Sequence, residues 1–91
     1  MSPMATSTPA PSEKRVQRVL TDYGSVLLDE SQGQYFHLNS TGTRIFEILS
    51  DEGLSERDAA QSMVDEYHIA IEQAQEDVSR LSAQLRERGL L

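Results

Sequence analysis

The sequence predicts an α+β domain in which an N-terminal three-stranded antiparallel sheet is followed by three helices. Three observations carry this reading. Between residues 16 and 38 apolar and polar side chains alternate with a period near 2, and two turn-forming clusters cut the stretch into three short runs. From Ser40 onward the apolar period changes to about 3.6. Breaks at Asp51-Glu52-Gly53 and near His68 then divide the second half into three helical pieces.

Val16-Gln-Arg-Val-Leu20 alternates loosely and forms the first strand. Asp22-Tyr23-Gly24-Ser25 supplies turn chemistry, because Gly reaches positive φ freely and Asp bonds nearby backbone. Val26-Leu27-Leu28-Asp29 is the second strand, Glu30-Ser31-Gln32-Gly33 the second turn, and Gln34 to Leu38 the third strand. A meander this small needs another element over one face. Asn39 or Ser40 caps the first helix, whose Ile45, Phe46, Ile48 and Leu49 make one apolar stripe, and Gly53 is its left-handed stop. Ser55-Glu-Arg-Asp58 resembles a capping box with Asp in the fourth place. The second helix follows, with Ala59, Ala60, Met63, Val64 and Tyr67 expected inward. In the third helix Ile71, Ala74, Val78, Leu81 and Leu85 recur at spacings of 3 and 4, opposite a face of Gln, Glu, Ser and Arg. Arg86 and Arg88 complement the dipole at its end, and Gly89 stops it.

Ninety-one residues make one small domain. Residues 1–14 read as a disordered tail, since Met1 to Ser12 are only Ser, Thr, Pro, Ala and Met, and residues 15–91 as the folded unit. No charged start with a continuous apolar run marks a secretory signal, and no stretch approaches a membrane span, so a cytoplasmic protein without a membrane partner is expected. The lack of cysteine removes disulfides, thiolate metal sites and thiol catalysis. Of the net charge of −7, residues 50–91 carry −6, from 10 acidic and 4 basic side chains. Such a surface repels phosphate backbones, which argues against nucleic acid.

No catalytic set emerges. His37 and His68 have no closely spaced metal-binding partner, and His68 falls in the linker before the third helix. The pairs Asp51/Glu52, Asp65/Glu66 and Glu76/Asp77 sit on helix surfaces or ends as solubilising charges, and the glycines make no phosphate loop. The expectation is a non-enzyme with no cofactor and no metal.

The third strand is the segment with something to spare. Tyr35 and His37 point to one face, Phe36 and Leu38 to the other, so both faces carry large side chains. Two binding readings follow. Three strands and three helices with a short last connection approach a winged helix-turn-helix, a shape that often binds DNA. The second helix, however, sets Arg57 against Glu56, Asp58, Asp65 and Glu66, and the third sets Arg80, Arg86 and Arg88 against Glu72, Glu76, Asp77 and Glu87. Neither has a basic face. The other reading adds a peptide strand to a free edge of the third strand, with the third helix as far wall of a groove. Periodicity alone does not choose between that and an idle edge.

Tyr35-Phe-His-Leu-Asn-Ser-Thr-Gly42, then Ile45-Phe-Glu-Ile-Leu49, an acidic-Gly turn, Asp77-Val78 and the closing Gly89-Leu-Leu91 together resemble the PqqD-like family over roughly residues 16–91. These are leader-recognition domains of pathways that modify ribosomally made peptides. The resemblance implies that the leader of a precursor peptide adds as an antiparallel strand to Gln34, Tyr35, Phe36, His37 and Leu38. It then lies in a groove walled by residues near Asp77, Val78, Leu81 and Leu85. Phe36 and Leu38 belong more to the core than to the groove, because their face should meet the helices, and Asn39 reads as a cap rather than a contact. Members of the pyrroloquinoline quinone type usually carry a Pro-Glu-Gly-like turn and a Gly-Trp-like end. Here the corresponding residues are Asp29 to Gly33 and Gly-Leu-Leu. The chain looks more like the stand-alone leader-binding protein of lasso peptide pathways, which implies a leader peptidase and a macrolactam synthetase as partners. Ala70, where many members place a capping Asp or Ser, leaves the start of the last helix open.

Overall fold

The computed structural model describes residues 16–91, so the expected tail over residues 1–14 lies outside the described part. Strands β1 (Val16–Thr21), β2 (Gly24–Asp29) and β3 (Gln34–Asn39) pair antiparallel in the order β1-β2-β3. β2 is the central strand, and its Ser25, Leu27 and Asp29 are buried. The turn between β2 and β3 is held by Asp29, whose Oδ1 accepts from the Ser31 amide at 3.0 Å and the Ser31 hydroxyl at 2.6 Å. Gly33 closes it at φ +67, a left-handed conformation that glycine adopts without steric cost.

β3 runs directly into α1 (Ser40–Phe46). Asn39 Oδ1 accepts from the Gly42 amide at 2.7 Å, so the last strand residue is also the helix cap. The chain then departs from the single regular helix that the apolar stripe predicts. Glu47–Asp51 form a π-helical turn, with the Glu52 amide reaching the Glu47 carbonyl at 3.1 Å. The stripe must serve two separate apolar clusters, and packing decides the winding. Ile45 and Ile48 enter a cluster with Ala59, Ala60, Met63, Ala74 and Val78, whereas Phe46 enters one with Leu27, Leu38, Leu85 and Leu90. Gly53 at φ +67 ends the turn as expected.

Helix α2 (Glu56–Tyr67) is capped by Ser55, whose Oγ accepts from the Asp58 amide at 3.1 Å. Ala59, Ala60 and Met63 are buried and Val64 half-buried, but Tyr67, expected inward, is 42% exposed. It lies in the final turn, where the helix leaves the core and His68 closes in the left-handed region at φ 59. His68 is exposed, in the connection where the sequence puts it.

Helix α3 (Ile71–Glu87) begins at Ile71 without a side-chain cap from Ala70; the Ala70 carbonyl accepts from the Ala74 amide at 3.0 Å instead. Its seam of Ala74, Val78 and Leu85 is buried, and Leu81 touches both clusters, so α3 ties the sheet to the helices. Ser82, assigned by periodicity to the outer face, is buried. Its hydroxyl donates to Glu56 Oε2 at 2.8 Å and accepts from Arg86 Nε at 3.1 Å, which satisfies it inside. Past Gly89, at φ +73, the Leu90 amide bonds the Leu85 carbonyl at 2.8 Å and the Leu90 side chain folds back into the sheet cluster.

Candidate functional site

Among the described residues β3 has a strand neighbour on one side only. Which of its residues offer the free edge follows from register. The two-residue turn Asp22-Tyr23 makes Thr21 and Gly24 a hydrogen-bonded pair, since such a turn closes on one. Alternation along β2 then turns the amides and carbonyls of Gly24, Val26 and Leu28 toward β1, and those of Ser25, Leu27 and Asp29 toward β3. Their partners there are Leu38, Phe36 and Gln34. The main-chain groups of Tyr35 and His37 therefore point outward from the sheet, unpaired with β2. They supply two donors and two acceptors at the spacing of an added strand.

The side chains follow the opposite logic. Tyr35 is 62% exposed and His37 exposed, on the face away from the helices, whereas Phe36 is half-buried and Leu38 buried. Beside this edge, between β3, the start of α1 and α3, lies an open hollow of about 290 Å³. Phe36, Leu38, Ile45 and Leu81 give it an apolar floor; Thr41, Asp77, Arg80 and Gln84 give it a polar rim. Asp77 Oδ1 accepts from Arg80 Nη2 at 3.0 Å and from Gln73 Nε2 at 2.8 Å.

The structure thus brings Phe36, His37, Leu38, Asp77 and Leu81 of the expected set to one hollow. Val78, at 1% exposure, and Leu85, at 0%, are spent on the core and stand behind the groove wall rather than on it. Gln34 lies at the other end of β3, in a second, shallower hollow with Gln32, Arg86, Glu87, Arg88 and Gly89. Phe36 connects the two ends, because the Arg88 guanidinium stacks 5.1 Å from its ring centre. Asn39 both caps α1 and lines the first hollow. Arg80 and Gln84 were missed by sequence reasoning; they are one turn from Asp77 and Leu81 on the same helix face, and that i, i+3/i+4 spacing was the available signal.

Two ion-pair networks hold the elements that frame the groove. Arg44, on α1, donates to Glu66 at 2.8 and 2.9 Å, to Glu52 at 3.0 Å and to Glu47 at 3.2 Å. These bonds raise the Arg44 pKa further, and they hold the Glu66 carboxyl below its ordinary range. Arg18, on β1, makes a two-pronged contact to Asp51 with both distances 2.8 Å and stacks on Phe46. The hydrogen bonds from Arg18 likewise lower the Asp51 carboxyl. Among the described residues no cluster of three or more His, Cys, Asp or Glu is arranged to hold a metal ion, and no helix is long and apolar enough to cross a membrane.

Residues 24–91 match the family described as coenzyme PQQ synthesis protein D. Two solved structures are similar. One is a lasso peptide synthetase B1 complexed with the leader peptide, 38% identical, covering 85% of this chain and 92% of its own, with a TM-score of 0.73. The other is TbiB1 in complex with the TbiA(beta) leader peptide, 28% identical, covering 84% of this chain and 87% of its own, with a TM-score of 0.74. No curated protein matches the sequence. With three quarters of its length matched, a sheet-then-helices architecture shared with both structures, and a free strand edge beside a helix, the chain belongs to the PqqD family.

Proposed function

We propose that this protein is a non-enzymatic recognition module that binds the leader segment of a ribosomally made precursor peptide, of the lasso class, and delivers it to a leader peptidase. The observation that carries the proposal is the open edge of β3 above an apolar floor that continues to α3. An antiparallel strand added there pairs with the outward groups of Tyr35 and His37, while its inward side chains rest on Phe36, Leu38 and Leu81. Both solved relatives contain a leader peptide, which supports a peptide as occupant. The similarity to the lasso peptide synthetase B1, with the chain's departures from the quinone-type turn and end, favours a lasso precursor over a quinone-cofactor precursor. β1 is the other sheet edge, but the hollow beside it is crossed by Arg18 on its way to Asp51.

Delivery needs a second surface. Val19, Leu20 and Tyr23 are 55%, 70% and 85% exposed on β1 and its turn, across the sheet from β3. Val19 and Leu20 point to opposite faces of β1, so what lies away from the groove is an exposed apolar edge, which suits docking of the peptidase, with the macrolactam synthetase acting later on the freed core peptide. DNA remains disfavoured, because the arginines of α2 and α3 are outnumbered by carboxylates on the same helices.

The test is a titration of the folded protein with the fluorescently labelled leader of the precursor encoded beside its gene. Saturable binding in the micromolar range or tighter is expected, since a disordered leader gives up ordering entropy on binding. No saturation with demonstrably folded protein rejects the proposal. A gel shift on duplex DNA that weakens steeply with salt would favour the DNA reading instead.

A further inference from the structure

The two ends of the β3 edge differ in charge, and this difference has a consequence for which peptide fits and in which direction. At the Asn39 end, Asp77 and Arg80 are already paired with each other at 3.0 Å, so that end presents no net charge to an incoming side chain. At the Gln34 end the second hollow is lined by Arg86, Arg88 and Glu87, a net positive rim on a protein of net charge −7. Arg86 is partly committed, through Ser82 at 3.1 Å and a longer 3.8 Å approach to Glu56. Arg88 is exposed and stacks on Phe36, and it forms no ion pair among the described residues. Among the described residues its guanidinium also donates no side-chain hydrogen bond, so its N–H fork is open for a carboxylate.

We infer that Arg88 is a specificity-determining residue of the groove, selecting an Asp or Glu side chain near the C-terminal end of the bound peptide segment. The inference rests on the leader-binding reading above. An antiparallel strand enters beside Asn39 and leaves beside Gln34, so its C-terminal part passes the second hollow. A carboxylate there meets the free fork of Arg88. In a strand running the other way the same carboxylate would lie beside Asp77, with no free cation to receive it. Because Arg88 also covers Phe36, the charge contact is continuous with the apolar floor, and peptide seating and carboxylate capture reinforce each other.

The experiment uses the labelled leader of the neighbouring precursor and synthetic copies in which each Asp or Glu is changed singly to Asn or Gln. All are titrated against the full chain and its Arg88→Gln and Arg88→Lys variants, each checked by thermal unfolding. One carboxylate near the C-terminal end of the bound segment is expected to lose about tenfold in affinity on amidation with the unaltered protein, and less than about twofold with Arg88→Gln. Arg88→Lys is expected to keep part of the discrimination, because the charge remains and the fork does not. Arg88→Gln binding the unmodified leader as tightly as the unaltered protein would overturn the inference, as would an amidation loss that persists unchanged in that variant. A leader with no carboxylate in the bound segment overturns it as well. All three results leave leader binding itself standing; failure of the unmodified leader to bind the unaltered protein removes both.

Discussion

At Gly24 the chain adopts φ +156 where β2 begins opposite Asn39. A Cβ built there would lie 1.9 Å from the Leu38 carbonyl oxygen and under 3 Å from the Asn39 backbone. No flexible side chain can yield, because the obstructing atoms are main chain. Gly24→Ala is therefore expected to cost roughly 3 kcal/mol or more in urea or thermal unfolding, by forcing β3 away from β2. Any residual folded fraction should bind leader poorly. The sequence marked Gly24 as a turn residue, which is local chemistry and readable from neighbours. It did not show the close approach, since Leu38 and Asn39 are remote in sequence. Arg44 was unreadable for the same reason: its partners Glu52 and Glu66 lie 8 and 22 residues away, and only the fold brings them together. The caps Asn39 and Ser55 and the stops Gly53 and Gly89 were legible, because each bonds or turns within a few residues of itself.

At the scale of the element, β3 divides its main-chain groups by residue. Gln34, Phe36 and Leu38 pair with β2, and Tyr35 and His37 face the free edge. Proline distinguishes the two sets, since it removes one N–H and is tolerated in a sheet only where that N–H points away from a partner. His37→Pro is expected to remain folded and to bind leader at least about tenfold more weakly, through a lost edge hydrogen bond and a ring in the path of the added strand. Phe36→Pro is expected to unfold the domain or lower its thermal midpoint sharply, because it breaks the β2 ladder. Similar leader affinities for folded His37→Pro and the unaltered protein would argue against strand addition. Alternation along the strand made the two faces readable from sequence. The placement of Val78 and Leu85 was not, since an apolar seam does not say which positions stop at the core and which reach a groove. Nor was the π-helical turn, which answers to two clusters that form only when the sheet and α3 meet.

For the whole molecule, the acidic balance and the ion-pair clamps set the response to pH. Asp51 and Glu66 have folded pKa values lowered by their arginine partners. The unfolded chain takes up protons on these groups at higher pH than the folded one. Their contribution is therefore complete above the ordinary carboxylate value of about 4 and is lost as pH falls through the lowered folded values. Both carboxylates are substantially solvent-exposed, so each pair is worth only about 0.2–1 kcal/mol. Thermal midpoints measured from pH 7 to pH 2.5 are expected to decline in the acid range, and Asp51→Asn with Glu66→Gln should flatten that decline. An acid limb unchanged by the double substitution would assign it to other carboxylates. At this scale the α+β architecture and its order of elements were legible, because the change of period from 2 to 3.6 is a property of the whole pattern and survives local exceptions such as Tyr67 and Ser82.

Amide hydrogen exchange, read residue by residue with and without the leader peptide, tests strand addition at β3 most directly. In the free protein the Phe36 and Leu38 amides should exchange slowly, held by β2, and those of Tyr35 and His37 quickly. Saturating leader should slow Tyr35 and His37 by about tenfold or more while leaving Phe36 and Leu38 nearly unchanged. Fast exchange at Tyr35 and His37 in the saturated complex, with new protection instead at Val16, Arg18 and Leu20 of β1 or along α2, would contradict the account.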